Sequence, residues 1–197
     1  MKVYIVRHGE TDYNKNKVFQ GQIDSHLTEE GIRQAKDLAE RLKDCKITKI
    51  YCSTLTRARD TAKIISDVLK ADVVETPLLK EQSLGIWEDK NKQQVIKDLK
   101  DKYGSLMDKK EIIPPEGEGF EQVEERAIPF IEKAIKESSG NLLVVGHALL
   151  NRVIIGYYLG MDYFNRYKLF QKNCHLNILN VSKDGSIKVE ALNTPTP

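Results

Sequence analysis

Cysteine is scarce in these 197 residues: Cys45, Cys52 and Cys174 are an odd number, with no C-x-x-C pair among them. A disulfide framework is therefore excluded as the organising device, and a reducing cytoplasm is the expected compartment. Charge of one sign is lacking as well, since 31 Lys and Arg stand against 29 Asp and Glu for a net charge of +2. So balanced a chain has no bulk field to hold nucleic acid or an anionic membrane, and neither is an expected partner. Long hydrophobic runs are missing too. The N-terminal run Val3–Val6 is far shorter than a signal-peptide core and meets Arg7 and His8 at once, and nothing else approaches the ~20 apolar residues of a membrane-spanning helix. The chain reads as cytoplasmic, a monomer or a homodimer.

What is present is an ordinary globular composition, 40% hydrophobic and 30% charged. At roughly 150 residues per domain the length fits one domain over residues 1–197. Short β-branched runs at Lys2–Val6, Ile47–Cys52, Asp72–Glu75 and Asn141–Val145 are expected strands buried on both faces. Between them lie helical periods. Thr28 is the expected cap of a helix with Ile32, Ala35, Leu38, Ala39 and Leu42 as its inward stripe, and Ala58, Ala62, Ile65, Val68 and Leu69 form a second stripe. Asn91–Tyr103 is a third helix with Val95, Ile96 and Leu99 inward. Phe120–Glu137 is expected to kink or restart at Pro129, and Ala148–Leu159 is too apolar for a surface helix. Residues 12–27 read as a long surface loop, and Ile112–Gly117 as another loop. Leu176–Val181 and Ile187–Leu192 alternate around Lys183-Asp184-Gly185 as a hairpin, and the tail Thr194–Pro197 is expected to fray. The order predicts a three-layer α/β/α sandwich with a mostly parallel sheet and an antiparallel edge.

In an open α/β sheet, ligands bind beyond the carboxyl ends of the strands. His8 and His147 each directly follow a predicted strand, and Arg7 and Arg57 belong to comparable strand-to-helix junctions. If the strands are neighbours, two arginines and two histidines share one crevice. That set suits a multiply charged oxyanion, with phosphate the leading ligand: the guanidinium fork matches phosphate geometry, and the helix start after His147 adds backbone N–H groups. A histidine among such cations stays neutral and can attack phosphorus, while arginine takes over the charge neutralisation otherwise left to magnesium. No metal ligand set and no cofactor motif is apparent, so none is expected.

The segment Arg7-His8-Gly9-Glu10-Thr11 resembles the opening motif of the histidine phosphatase superfamily, the phosphoglycerate mutase-like family. The resemblance continues through Asn14, Gln20-Gly21, Leu27-Thr28-Glu29-Glu30-Gly31, Ser53–Ala62, Glu81, Trp87-Glu88 and Val144-Val145-Gly146-His147, so it spans most of the chain. It implies a phosphoglycerate mutase-like fold. It also implies that His8 becomes phosphohistidine, that Arg7, Arg57 and His147 bind phosphoryl oxygens, and that Glu81 donates the proton. Asn14, Gln20, Gly21 and the Ala148 backbone complete the implied pocket. Tyr13, Asp89, Gly119 and Ala148 depart from the family's frequent residues. Asp89 and Gly119 flank the variable lid segment at about 89–119, whose lysines, among them Lys90, Lys92, Lys97, Lys109 and Lys110, are either a solvated face or cations at the pocket mouth.

The expected activity is a metal-independent phosphatase acting on a small phosphorylated metabolite. A mutase using the same site, and a catalytically silent phospholigand-binding module, are the alternatives. The absence of any arginine between Arg59 and Arg126 favours the phosphatase, because family mutases use an arginine pair there.

Overall fold

The computed structural model describes residues 1–105 and 110–195. Lys109, and Thr196 and Pro197 of the tail, lie outside them. Strands β1 (Lys2–Arg7), β2 (Ile47–Ser53), β3 (Asp72–Thr76), β4 (Asn141–Gly146), β5 (Leu176–Val181) and β6 (Ile187–Thr194) form one sheet in the order β3-β2-β4-β1-β5-β6. The first four pair in parallel and the last two add on antiparallel as the expected hairpin. Helices are α1 (Asp12–Lys15), α2 (Glu29–Leu42), α3 (Thr56–Leu69), α4 (Lys92–Tyr103), α5 (Phe120–Glu137), α6 (Ala148–Tyr158) and α7 (Tyr163–Arg166).

Alternation along each strand divides the core into two layers. Tyr4, Val6, Ile50, Cys52, Leu143 and Val145 pack with α2 and α3, while Val3, Ile5, Leu142 and Val144 pack with α5 and α6. Both faces are covered, which is why β1 and β4 read as unbroken apolar runs. The chain leaves β1 toward α2 on one face and β4 toward α6 on the other. Because β1 and β4 are neighbours, a crevice opens between their carboxyl ends, the position at which such sheets bind ligands.

Some expectations need correction. Ile32, expected on the inward stripe of α2, is 37% exposed, and Ile96 on α4 is 40% exposed. Helix α5 runs through Pro129 without restarting. The proline is on the exposed face, where the Glu125 carbonyl that loses its partner can bond water instead. Residues 12–27 are not a surface loop throughout: α1 and an isolated bridge between Thr11 and Leu27 organise them, and Gln20, Gly21 and Ser25 are buried.

Candidate active site

The register pairs Val6 with Val145 and Arg7 with Gly146, and the His8 N–H donates to the Gly146 carbonyl at 3.0 Å. His8 and His147 therefore leave the sheet at one level, with ring centroids 5.2 Å apart and planes tilted by 58°. His8 Nδ1 lies 2.7 Å from the Gly9 carbonyl oxygen. A carbonyl only accepts, so Nδ1 carries the proton and Nε2 keeps its lone pair. Burial first, then the cations Arg57 and Arg7, hold His8 well below the usual histidine range, and it is neutral. The same causes, burial foremost, keep His147 neutral. Both His147 ring nitrogens are buried without a partner among the described residues.

Arg57 is buried to 1% exposure near the start of α3. Its Nη1 donates to the Ile23 carbonyl at 2.8 Å and its Nη2 to that of Gly21 at 2.7 Å, which clamps the fork against the 20–24 loop. Gly21 sits at φ +53°, and a Cβ there would fall 2.1 Å from Glu88 Oε1, so this position accepts only glycine without strain. Glu88 Oε1 in turn accepts the N–H groups of Gln22 and Leu84 at 3.0 and 2.9 Å. Burial lowers Arg7 to about 10, with Glu81 opposing that shift, so Arg7 remains a cation at neutral pH. Its Nη1 donates to the Gln171 carbonyl at 2.9 Å. Arg7 Nε and Arg57 Nε are buried donors with no partner among the described residues.

Asn14 is oriented by its neighbours. Its Oδ1 accepts from Asn173 Nδ2 at 3.2 Å and from the Thr11 N–H at 3.3 Å, leaving Nδ2 a buried donor with no partner among the described residues. Asn173 Nδ2 also donates to the His8 carbonyl at 2.8 Å. Buried donors cost free energy unless something accepts from them, and an oxyanion is the group that satisfies all of these at once.

Glu81 reaches the start of α6, whose cap residue His147 makes no side-chain capping bond. Its Oε1 accepts the N–H groups of Leu150 and Gln82, both at 3.0 Å, and its Oε2 that of Leu149 at 3.2 Å. The carboxylate thus takes over the capping role and the positive end of the helix. This revises the expectation that the helix start as a whole serves the oxyanion: two of its first N–H groups go to Glu81.

Arg7, His8, Asn14, Gln20, Gly21, Arg57, Glu81 and Ala148 line one cavity of about 220 Å³, with His147 beside His8. All the expected site residues therefore converge. Gln20 is held by Ser25, whose hydroxyl donates to Gln20 Oε1 at 2.7 Å. Sequence reasoning missed Phe19, Arg152, Phe170 and Gln171, which line the same cavity. Arg152 follows Ala148 by one helical turn, a spacing that could have flagged it; nothing marked Gln171 or Asn173. Of the lid lysines, Lys92 lines this cavity, where burial and then Arg7 lower it, whereas Lys90 and Lys97 are exposed. Among the described residues no three His, Cys, Asp and Glu side chains form a group that could hold a metal ion, and no helix is long and apolar enough to cross a membrane.

A neutral histidine with a free Nε2, ringed by donors for an oxyanion and facing a carboxylate, is the equipment for phosphoryl transfer through nitrogen. The chain belongs to the histidine phosphatase superfamily (branch 1), whose family model matches residues 3–195. It is 31% identical over 179 residues to "Probable phosphoglycerate mutase GpmB" of Enterobacter sp. (strain 638), covering 90% of this chain and 83% of that protein. Among solved structures it is similar to a mycobacterial glucosyl-3-phosphoglycerate phosphatase complexed with VO3, at a TM-score of 0.89 and 25% identity over 98% of both chains. The alpha-ribazole phosphatase from Shigella flexneri aligns at a TM-score of 0.85 and 26% identity, over 99% of this chain and 97% of that one. The family is one of phosphatases and mutases, and the fold is theirs.

Proposed function

We propose that this protein is a metal-independent phosphomonoesterase acting on a small phosphorylated metabolite through a phosphohistidine on His8. The observation that carries the reading is the bond from His8 Nδ1 to the Gly9 carbonyl, which leaves the Nε2 lone pair for attack. Nε2 attacks phosphorus and the bond to the leaving oxygen breaks. The ester enters as its monoanion, and its proton passes by way of Glu81 to that oxygen as the alcohol departs. Arg7, Arg57, His147, Asn14 Nδ2 and the Ala148 N–H stabilise the charge on the remaining oxygens, a task that arginine forks perform without a divalent ion. In the second half, Glu81 takes a proton from water, the oxygen attacks phosphorus, the P–N bond breaks, and His8 is restored with release of inorganic phosphate.

A mutase is the second reading, favoured by the similarity to the phosphoglycerate mutase-named relatives. In it the phosphoryl group returns to a hydroxyl of the bound acid rather than to water. Incubation with 3-phosphoglycerate and with a panel of phosphate monoesters distinguishes the two. Phosphate release far exceeding interconversion of the phosphoglycerates is the expected result. Efficient interconversion with little phosphate released would make the mutase correct, and binding without turnover of any ester would leave a silent phospholigand module.

A further inference from the structure

Beside the phosphate cavity lies a second one, of about 360 Å³, and the two share Phe19, Leu84, Ile96, Leu149 and Arg152 as common walls. They are contiguous. Its remaining lining is mostly apolar and aromatic: Trp87, Leu99, Ile112, Pro114, Phe164 and Tyr167 come from the Gly85–Trp87 turn before α4, from α4, from the segment before α5 and from α7 with the residue after it. Gln82, Lys110 and the Arg152 guanidinium are the polar exceptions, and Arg152 Nε is committed to the Leu169 carbonyl at 2.7 Å.

We infer that this cavity receives the leaving alcohol of the substrate, and that the alcohol carries an apolar, aryl-sized group. The inference rests on the phosphomonoesterase reading and names its substrate class. The chemistry follows from what each wall can offer. A short hydroxy acid placed there loses water from its polar groups and meets few donors in return, which costs binding. A flat ring loses nothing of the kind and gains contact with Trp87, Tyr167 and the aliphatic walls. The phosphate is held by the neighbouring cationic cluster, so the two halves of such an ester are recognised by two adjoining and chemically opposite pockets.

The test compares ethyl phosphate with 2-(2-naphthyl)ethyl phosphate. Both release a primary alkoxide, so the chemical step makes the same demand on each. The naphthyl ester is expected to have a kcat/KM about 50-fold higher, the gain from burying one ring system. In Leu99→Gln and in Ile112→Gln, both confined to the second cavity, the ratio of the two rates should fall several-fold. Because the ratio is read within one protein, it does not depend on how much of a variant is folded. A ratio near one in the unaltered protein, a ratio unmoved by both variants, or 3-phosphoglycerate turned over better than the naphthyl ester would overturn the inference. Calorimetry on His8→Ala with ethylphosphonate and its naphthyl counterpart reads the same preference without turnover. Tighter binding of the naphthyl compound there supports the cavity assignment even if the hydrolytic reading fails, and equal binding refutes it even if hydrolysis is found.

Discussion

His8 and His147 stand at the ends of adjacent parallel strands with their ring centroids 5.2 Å apart, both buried and both held neutral. Each keeps a pKa well below 6.5 when folded and regains the ordinary value when the chain unfolds. Between those values the unfolded chain binds more protons, so stability is complete above about pH 6.5 and falls as the pH drops below it. Well below pH 6.5 the expected loss approaches one proton for each histidine, on the order of 1 kcal/mol per pH unit. Urea denaturation at pH 7.5 and 5.5 measures it. The double variant His8→Asn/His147→Asn should lose distinctly less stability over that interval than the unaltered protein, and equal losses would contradict the neutral pair.

Arg57 is clamped on the Gly21 and Ile23 carbonyls, and in the proposed mechanism it supplies a charge to the phosphate. Arg57→Ala should lower kcat/KM by on the order of a hundredfold, as removal of other preorganised charge stabilisers does. Arg57→Lys keeps the charge but loses the fork, so most of the deficit should remain. Steady-state kinetics at matched thermal stability check this. Near-normal activity in both variants would place the phosphate elsewhere.

For Glu81, the informative comparison is between leaving groups. Glu81→Gln keeps one oxygen for the Leu150 and Gln82 N–H groups but turns its NH2 toward the Leu149 N–H, so the start of α6 stays capped only in part, equally for both substrates. The variant should slow phosphorylation of His8 strongly with alkyl phosphates, whose alkoxides need the proton, and only weakly with p-nitrophenyl phosphate. Single-turnover rates are the measurement, because steady-state rates also contain the hydrolytic step. Equal slowing of both would remove Glu81 from the acid role.

Asn173 acts at one remove, through Asn14 and the His8 backbone. Asn173→Ala should reduce kcat/KM about tenfold by freeing the Asn14 amide to turn, a loss of one positioned hydrogen bond. In an Asn14→Ala background the same change should cost much less, and a double-mutant cycle reads that coupling. Additive losses would reduce Asn173 to a local structural role.

Much of this site is legible before folding. The runs Val3–Val6 and Leu142–Val145 could only be strands covered on both faces, and a polar residue placed immediately after each, His8 and His147, had to emerge at the sheet's carboxyl edge. The family resemblance, continuing beyond the motif at Arg7–Thr11, supplied Glu81 and Asn14, which periodicity alone does not reveal. Asn173 and the apolar cavity stayed hidden because they depend on how separate loops and helix faces converge, and spacing within one element carries no record of that; for Arg152 the one-turn spacing from Ala148 is the single signal. Ile96 shows the limit on a smaller scale. Its place in the helical stripe points inward, but α4 lies over the pocket mouth, so Ile96 and Leu99 face a cavity. Tyr13 and Asp89, two separate departures from the family's residues, prove to be one feature: the Tyr13 hydroxyl donates to Asp89 Oδ1 at 3.1 Å, with Asp89 at φ +60°.

In the proposed mechanism Nε2 of His8 becomes covalently phosphorylated during turnover. Rapid alkaline quenching during turnover of a monoester, followed by proteolysis and mass spectrometry under conditions that preserve phosphoramidates, tests it directly. One phosphoryl group is expected on His8, absent from His8→Ala and accumulating when Glu81 is replaced by Gln and the leaving group is p-nitrophenolate. A label on His147 or on a serine, or full activity of His8→Ala, would contradict it.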